Sequence, residues 1–276
     1  MTGALYSKQM VIGMAIIALF VVAGVLAHRV APYSPGMQRL SEDLQPPSFA
    51  HPCGQDKLGR DVLSRVLVGA RVSLLVSVIA VSISAAIGVA LGGLAGYVGG
   101  RTDELILRGI DVLLAFPGTL LAIALSAVLG PSLRNVIVAL CAIGWSGYAR
   151  LVRAEVLVWR TQEFVSAAVA LGGGPLRVLV RHILPQLIAP VLVQVSFGMA
   201  AAIMAEAGLS FLGLGVQPPT PSWGSMINEG RAFLLIAPHV ALFPGLAISL
   251  TVLGWQCLAE GLREVMDVRS GGKELA

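Results

Sequence analysis

Residues 72–98 read VSLLVSVIAVSISAAIGVALGGLAGYV, a run without a single charged side chain. At about 1.5 Å per residue it exceeds the roughly 30 Å hydrocarbon core of a bilayer, so it reads as a membrane-crossing helix. Ser84, Gly88, Gly92 and Gly96 recur at every fourth position. That spacing lines one helix face with small side chains, along which another helix can approach closely. The spacing does not say whether that neighbour lies in this chain or in a second one.

The rest of the chain agrees with this reading. Of its 276 residues, 56% are apolar and only 12% are charged, about half the charged share of a soluble domain. That excludes a soluble enzyme and a disordered chain, and it leaves no basic stripe for nucleic acid. The chain is all-α and embedded in membrane lipid. Six stretches are apolar enough to cross: Met10–Ala27, Val72–Val98, Ile106–Leu129, Asn135–Val152, Leu187–Leu214 and Val240–Ala259. The fourth is marginal, since Arg134 and Arg150 bracket only 15 residues. Residues 1–71 then hold one span and a long polar segment, 72–262 form the transmembrane domain, and 263–276 form a tail. Cys53, Cys141 and Cys257 are far apart and suggest neither disulfides nor a metal site.

With the N-terminus inside, the inner segments carry 11 basic residues and the outer ones 8. The connection between the fourth and fifth spans decides the matter, because it holds four arginines, with Arg150 just ahead of it, and basic connections stay inside. Both termini are accordingly expected in the cytoplasm. The first apolar run is long for a cleaved signal peptide, although Val25-Leu26-Ala27 ends it on a small residue.

Two connecting segments carry patterns. Between Asp56 and Arg71, apolar residues at helical spacing alternate with Arg60, Asp61, Ser64 and Arg65, which predicts an amphipathic helix at the interface or a plain lead-in to the second span. Glu163 to Leu171 predicts a short helix with small Ala167, Ala168 and Ala170. Gly172-Gly173-Gly174 ends it in a sharp turn, and Pro175 opens a second helix carrying Arg177 and Arg181. Leu176, Leu179, Val180, Ile183 and Leu184 form its apolar stripe, and Pro185 is expected to stop it. Two short helices around a glycine elbow make a shape that another protein can grip.

Chemistry of its own is scarce. None of the three lysines, Lys8, Lys57 and Lys273, sits in a phosphate-binding loop, and the four histidines form no H-E-x-x-H. Gly144-Trp145-Ser146-Gly147 resembles the nucleophile segment of a rhomboid intramembrane protease, with His239 as the available base. The expected topology separates the two by roughly 15 Å of helix rise, which excludes a nucleophile–base pair. Charged groups inside spans are functional candidates. Asp111 is expected to pair with Arg108 three positions away, whereas Glu206 has no local basic partner and faces either a polar path or structural hydrogen bonds. Pro117 and Pro244 should kink or break their spans.

Ala167-Ala168-Val169-Ala170-Leu171-Gly172 with Leu184-Pro185 resembles the EAA loop of bacterial ABC-importer permeases, Ser166 standing in for the glutamate and His182 for the isoleucine. Gly54 to Arg65 is similar to the G-T-D-x-x-G-R-D-x-x-S-R signature of the dipeptide/oligopeptide/nickel permease family. Arg181-His182-Ile183-Leu184-Pro185 and Leu209 to Gly215 with Trp223-Gly224 are similar to further segments of that family.

The resemblance implies the type I importer permease fold, with six transmembrane helices and a cytoplasmic coupling-helix loop, in the cytoplasmic membrane of a bacterium. It implies no cofactor in this chain, ATP and Mg being held by two partner ATPase subunits. It also implies a homologous permease partner and an external substrate-binding protein. Glu163, Ser166, Ala167, Ala168, Leu171, Gly172, Gly173 and Arg177 would form the ATPase-coupling surface, and Asp111 and Glu206 are the intramembrane polar candidates. Di- and oligopeptides are the first expectation for cargo and nickel or a nickel chelate the alternative. A secondary transporter would need charged rings or an internal repeat, and neither is evident.

Overall fold

A computed structural model describes residues 7–271. The chain enters as α1 (Lys8–Val25), capped by the Ser7 hydroxyl, and a short α2 (Ala27–Val30). An irregular segment then leads to the longest helix, α3 (Val62–Val98). Next come α4 (Gly100–Leu114) and α5 (Gly118–Leu129), bent by 82° about the break at Pro117. The expected third span is therefore two helices. Pro117 supplies no N–H and forces the preceding residue out of helical geometry, and α5 alone rises only about 18 Å.

α6 (Leu133–Trp159) packs parallel to α3 and is followed by α7 (Glu163–Ala170) and α8 (Pro175–Val178). From α8 the backbone continues through a π turn (Leu179–Ile183) and a 3-10 turn (Leu184–Leu187) into α9 (Ile188–Phe211). A short α10 (Trp223–Gly230) precedes α11 (His239–Gly271), which runs unbroken past Pro244. The segment expected as a tail from residue 263 continues α11, and residues 272–276 lie outside the described residues. Among the described residues, five helices are long and apolar enough to cross a membrane, or six passes when α4 and α5 count as one.

The glycine face of α3 packs on α6 of the same chain. A Cβ on Gly88 would lie 2.7 Å from the Trp145 carbonyl oxygen, and one on Gly96 would lie 2.9 Å from that of Arg153. On Gly92 it would strike the carbonyl of Ala149, and from α6 a Cβ on Gly144 would meet the Ser84 hydroxyl at 2.7 Å. The two backbones thus touch along four turns, and the dispersion contacts of that seam hold the bundle where no hydrophobic effect operates between helices.

α1 packs on α11 in the same manner, Gly13 against Leu258 and Gly261 against Met10, so the start of α1 and the latter part of α11 lie on one side of the bundle. That side also carries the Gly172 turn, because α6 descends to it past Gly96. On the opposite side, α10 inserts Trp223, fully buried, among Ala70, Leu74, Ile203 and Ala207. The indole N–H donates to the Val66 carbonyl at 3.0 Å, and Phe20 meets the ring edge-on at 5.7 Å.

Gly92→Leu should destabilise the bundle by about 1–3 kcal/mol through overpacking of the α3–α6 seam. Gly109→Ala, at an exposed position with open space around it, should be neutral or stabilising. Thermal unfolding of both variants in detergent checks the contrast.

Candidate functional site

The Gly172 elbow has a small core of its own. Val165, Val178, Ile183 and Leu187 are buried against Val152 and Val156 at the end of α6. Gly173 N–H donates to Ala168 O at 3.0 Å, closing the helix end, and Gly172 sits at φ +85°, a conformation that a Cβ would strain. With its inner face so pinned, the elbow turns Glu163, Ser166, Ala167, Leu171, Gly172 and Arg177 outward, while Ala168 and Gly173 are half-buried. Leu171 is 89% exposed, a large apolar side chain held out on a fixed turn.

Two expectations are corrected at this point. The stripe from Leu176 to Leu184 does not face one way, since Leu176 and Val180 are exposed while Val178 and Ile183 are buried. The π turn admits an extra residue and shifts the phase set by a 3.6-residue period. Pro185 likewise does not stop the helix, because the wide turn before it moves the carbonyl its ring would strike.

The intramembrane charges also find other partners than expected. Asp111 pairs with Arg150 of α6 at 2.6 Å, and Arg108 pairs with Glu104 one turn back. Arg153 engages Asp103 through two guanidinium nitrogens, so two ion pairs strap α4 to α6. Glu206 is buried, and each of its oxygens accepts a serine hydroxyl: Ser73 of α3 at 2.8 Å and Ser210 at 2.7 Å. Ser146 donates to the Ile143 carbonyl at 2.9 Å, and His239 Nε2 lies 3.1 Å from the Gln55 carbonyl oxygen. The protease arrangement is not formed.

On the side opposite the elbow, the structure assembles an ion cluster around residues of the Asp56–Arg71 segment, expected either as an interfacial helix or as a lead-in to the second span. α3 starts only at Val62 and runs straight into the second span, and Arg60, Asp61, Ser64 and Arg65 point inward. Asp56 accepts Leu58 N–H at 2.8 Å and Arg60 N–H at 3.1 Å. It also accepts Arg60 Nε at 2.7 Å and an Arg65 nitrogen. Arg65 spans to Glu229 of α10 with bonds of 2.9 and 3.1 Å, and Arg60 reaches the same carboxylate.

Asp61 caps α3 through the Ser64 N–H at 2.7 Å and meets His51 Nδ1 at 2.9 Å, with Tyr33 stacked on that ring. Gly59, at φ +64°, makes the tight turn against the Arg39 carbonyl that lets Arg60 fold back. Burial pushes the Asp56 carboxyl up, but the Arg65 and Arg60 charges and the two N–H donors outweigh it, so it lies below the usual carboxylate range. The signal was present in the sequence, since Asp56 with Arg60 and Asp61 with Arg65 make two opposite-charge pairs four residues apart. The acidic partner Glu229, 164 positions beyond Arg65, was not findable by spacing.

The geometry is a glycine-seamed helical bundle with an elbow protruding on one side. The chain belongs to the family of binding-protein-dependent transport system inner membrane components, whose family model matches residues 88–263. It is 48% identical over 257 residues to the glutathione transport system permease protein GsiD of Escherichia coli O157:H7. That match covers 93% of this chain and 85% of the relative, and GsiD of Shigella sonnei matches to the same extent. The inward-facing MetNI methionine ABC transporter shares the fold, with a TM-score of 0.57 at 17% identity over 74% of this chain and 97% of that one. The chain is a multi-pass inner-membrane permease subunit of an ABC importer, of the type I permease fold, and not an enzyme.

For the ion cluster, Arg65→Met should cost about 1.5–3 kcal/mol, because Asp56 and Glu229 would keep only Arg60 as their shared partner. The Asp56 contribution to stability is present in full above the unfolded carboxyl value of about 3.9 and is lost as pH falls from there through the lower folded value. Asp56→Asn should remove that acid-side loss, as thermal unfolding from pH 7 down to 3 would read.

Proposed function

We propose that this chain is the second of two homologous permeases in an importer of short peptides, driven by two ATPase subunits that hold ATP and Mg and supplied by an external binding protein. The observation that carries the cargo class is the 48% identity to a glutathione transport permease over 93% of the chain. Di- and oligopeptides share the amide backbone and size range of that tripeptide. Nickel, the other cargo of the resembling family, is favoured by no specific observation.

In this reading the elbow lies in the cytoplasm with both termini, and the ion cluster lies on the outer face. The four arginines of the 153–186 connection, with Arg150 just ahead of it, support that orientation. α7 is the coupling helix, and its Glu163, Ser166 and Ala167, with Leu171 and Gly172 just past its end and Arg177 of α8, form the exposed docking surface. Ala168 and Gly173 act from behind it by fixing the turn. When the ATPases close, the elbow is carried with them, and its rigid seat against α6 and its continuity with α9 turn that motion into a change of access. Asp111 takes part through its pair with Arg150, which ties the broken third span to α6. Glu206 serves as a polar tie between α9 and α3.

Ala167→Trp and Leu171→Asp alter the exposed face without touching the elbow core. Each should lower binding-protein-stimulated ATP hydrolysis and peptide uptake by about tenfold or more in proteoliposomes, as an introduced clash or desolvated charge at an interface does. The permease pair should still assemble. Uptake that persists without the ATPase subunits would overturn this reading.

A further inference from the structure

A cavity of about 340 Å³ opens midway along α3, α6 and α9, against the first turns of α5. Most of its wall is glycine and alanine, interrupted by four uncharged polar side chains, Ser84, Thr119, Tyr148 and Gln194. None of its lining residues is charged. The Tyr148 hydroxyl, 3.5 Å from the Gln194 carbonyl oxygen, is held over α9 by Gly198, where any Cβ would collide with it. Among the described residues, neither the Gln194 carboxamide nor the Thr119 hydroxyl has a hydrogen-bond partner.

That is an unusual state for groups halfway through a membrane protein. Lipid tails offer a carboxamide no hydrogen bond, so such a side chain at this depth faces water, protein or a passing solute. The small wall residues keep the space open, and a binding space of this size lies at the lower end of those that accept small ligands. A carboxamide offers two donors and an acceptor, the complement of a peptide N–H and C=O. Hydroxyls and one carboxamide are, by contrast, a poor ligand set for a bare nickel ion, which favours imidazole and thiolate.

We infer that this cavity is the station at which the permease sorts its cargo, with Gln194 reading the amide backbone of a short peptide and Ala201 limiting its bulk. The inference rests on the importer reading above and deepens it. Without a fixed charge, the cavity ignores side-chain charge and selects by amide content and size. The charged ends of the peptide remain in its hydrated open mouth.

The test is uptake by proteoliposomes holding the whole importer, with dialanine, glutathione and tetra-alanine as cargo. Gln194→Leu keeps the bulk and removes the amide, so kcat/KM should fall about fivefold to tenfold for all three, the effect of one lost hydrogen bond. Gln194→Asn should recover most of it. Ala201→Phe narrows the cavity and should raise the ratio of dialanine to tetra-alanine uptake at least tenfold. That ratio does not depend on how much complex folds. Import by the wild type with unchanged kinetics in Gln194→Leu and an unchanged ratio in Ala201→Phe overturns the cavity assignment alone. A wild-type complex that hydrolyses ATP but imports none of the three overturns the peptide reading and the cavity assignment together.

Discussion

Everything in this molecule depends on how closely α3 and α6 approach. In a bilayer, burying apolar surface between helices yields little, because lipid tails are as apolar as leucine. Stability then comes from contact density, and contact density comes from glycines that let backbone meet backbone. The seam at Gly88, Gly92 and Gly96 fixes the spacing of the bundle. The buried ties from Ser73 to Glu206 and from Trp223 to Val66 then fall within hydrogen-bonding distance.

The polar groups divide into those that hold the molecule and those that face a neighbour. The cluster of Asp56, Arg60, Arg65 and half-buried Glu229 is internally paired, as befits a lock that joins the 28–61 segment and the start of α3 to α10. The elbow is the reverse, with apolar side chains inside and Leu171 and Arg177 outside. A surface that exposes a leucine on a pinned turn suits docking, since little order remains to be imposed when a partner binds.

Much of the architecture was legible in the sequence because lipid imposes a simple rule. Uncharged runs of sufficient length must span, and Pro117 must interrupt the one that contains it. The short helix from Glu163 and its glycine elbow also followed from local chemistry alone. Pairings across the fold did not. Asp111 has a basic residue three positions away and yet binds Arg150, because α4 crosses α6 at its last turn and Glu104 already occupies Arg108. The π turn before Pro185 was equally hidden, for periodicity counts assume a constant residue number per turn. The Arg60 and Arg65 side chains looked like a solvated face because their counter-ion lies on a helix far along the chain.

The helical path from Pro175 to Phe211 has a mechanical consequence. It joins the elbow to the far side of the bundle as a single rod of 37 residues, roughly 55 Å long. A tilt of roughly 5° about its base would sweep the far end by roughly 5 Å, about one helical turn. Beyond Phe211 the chain leads within a dozen residues to Trp223 and then to Glu229, which the two arginines grip. A displacement applied at the elbow would therefore be passed to the 28–61 loop through connections that are already fastened, as along the two arms of a lever.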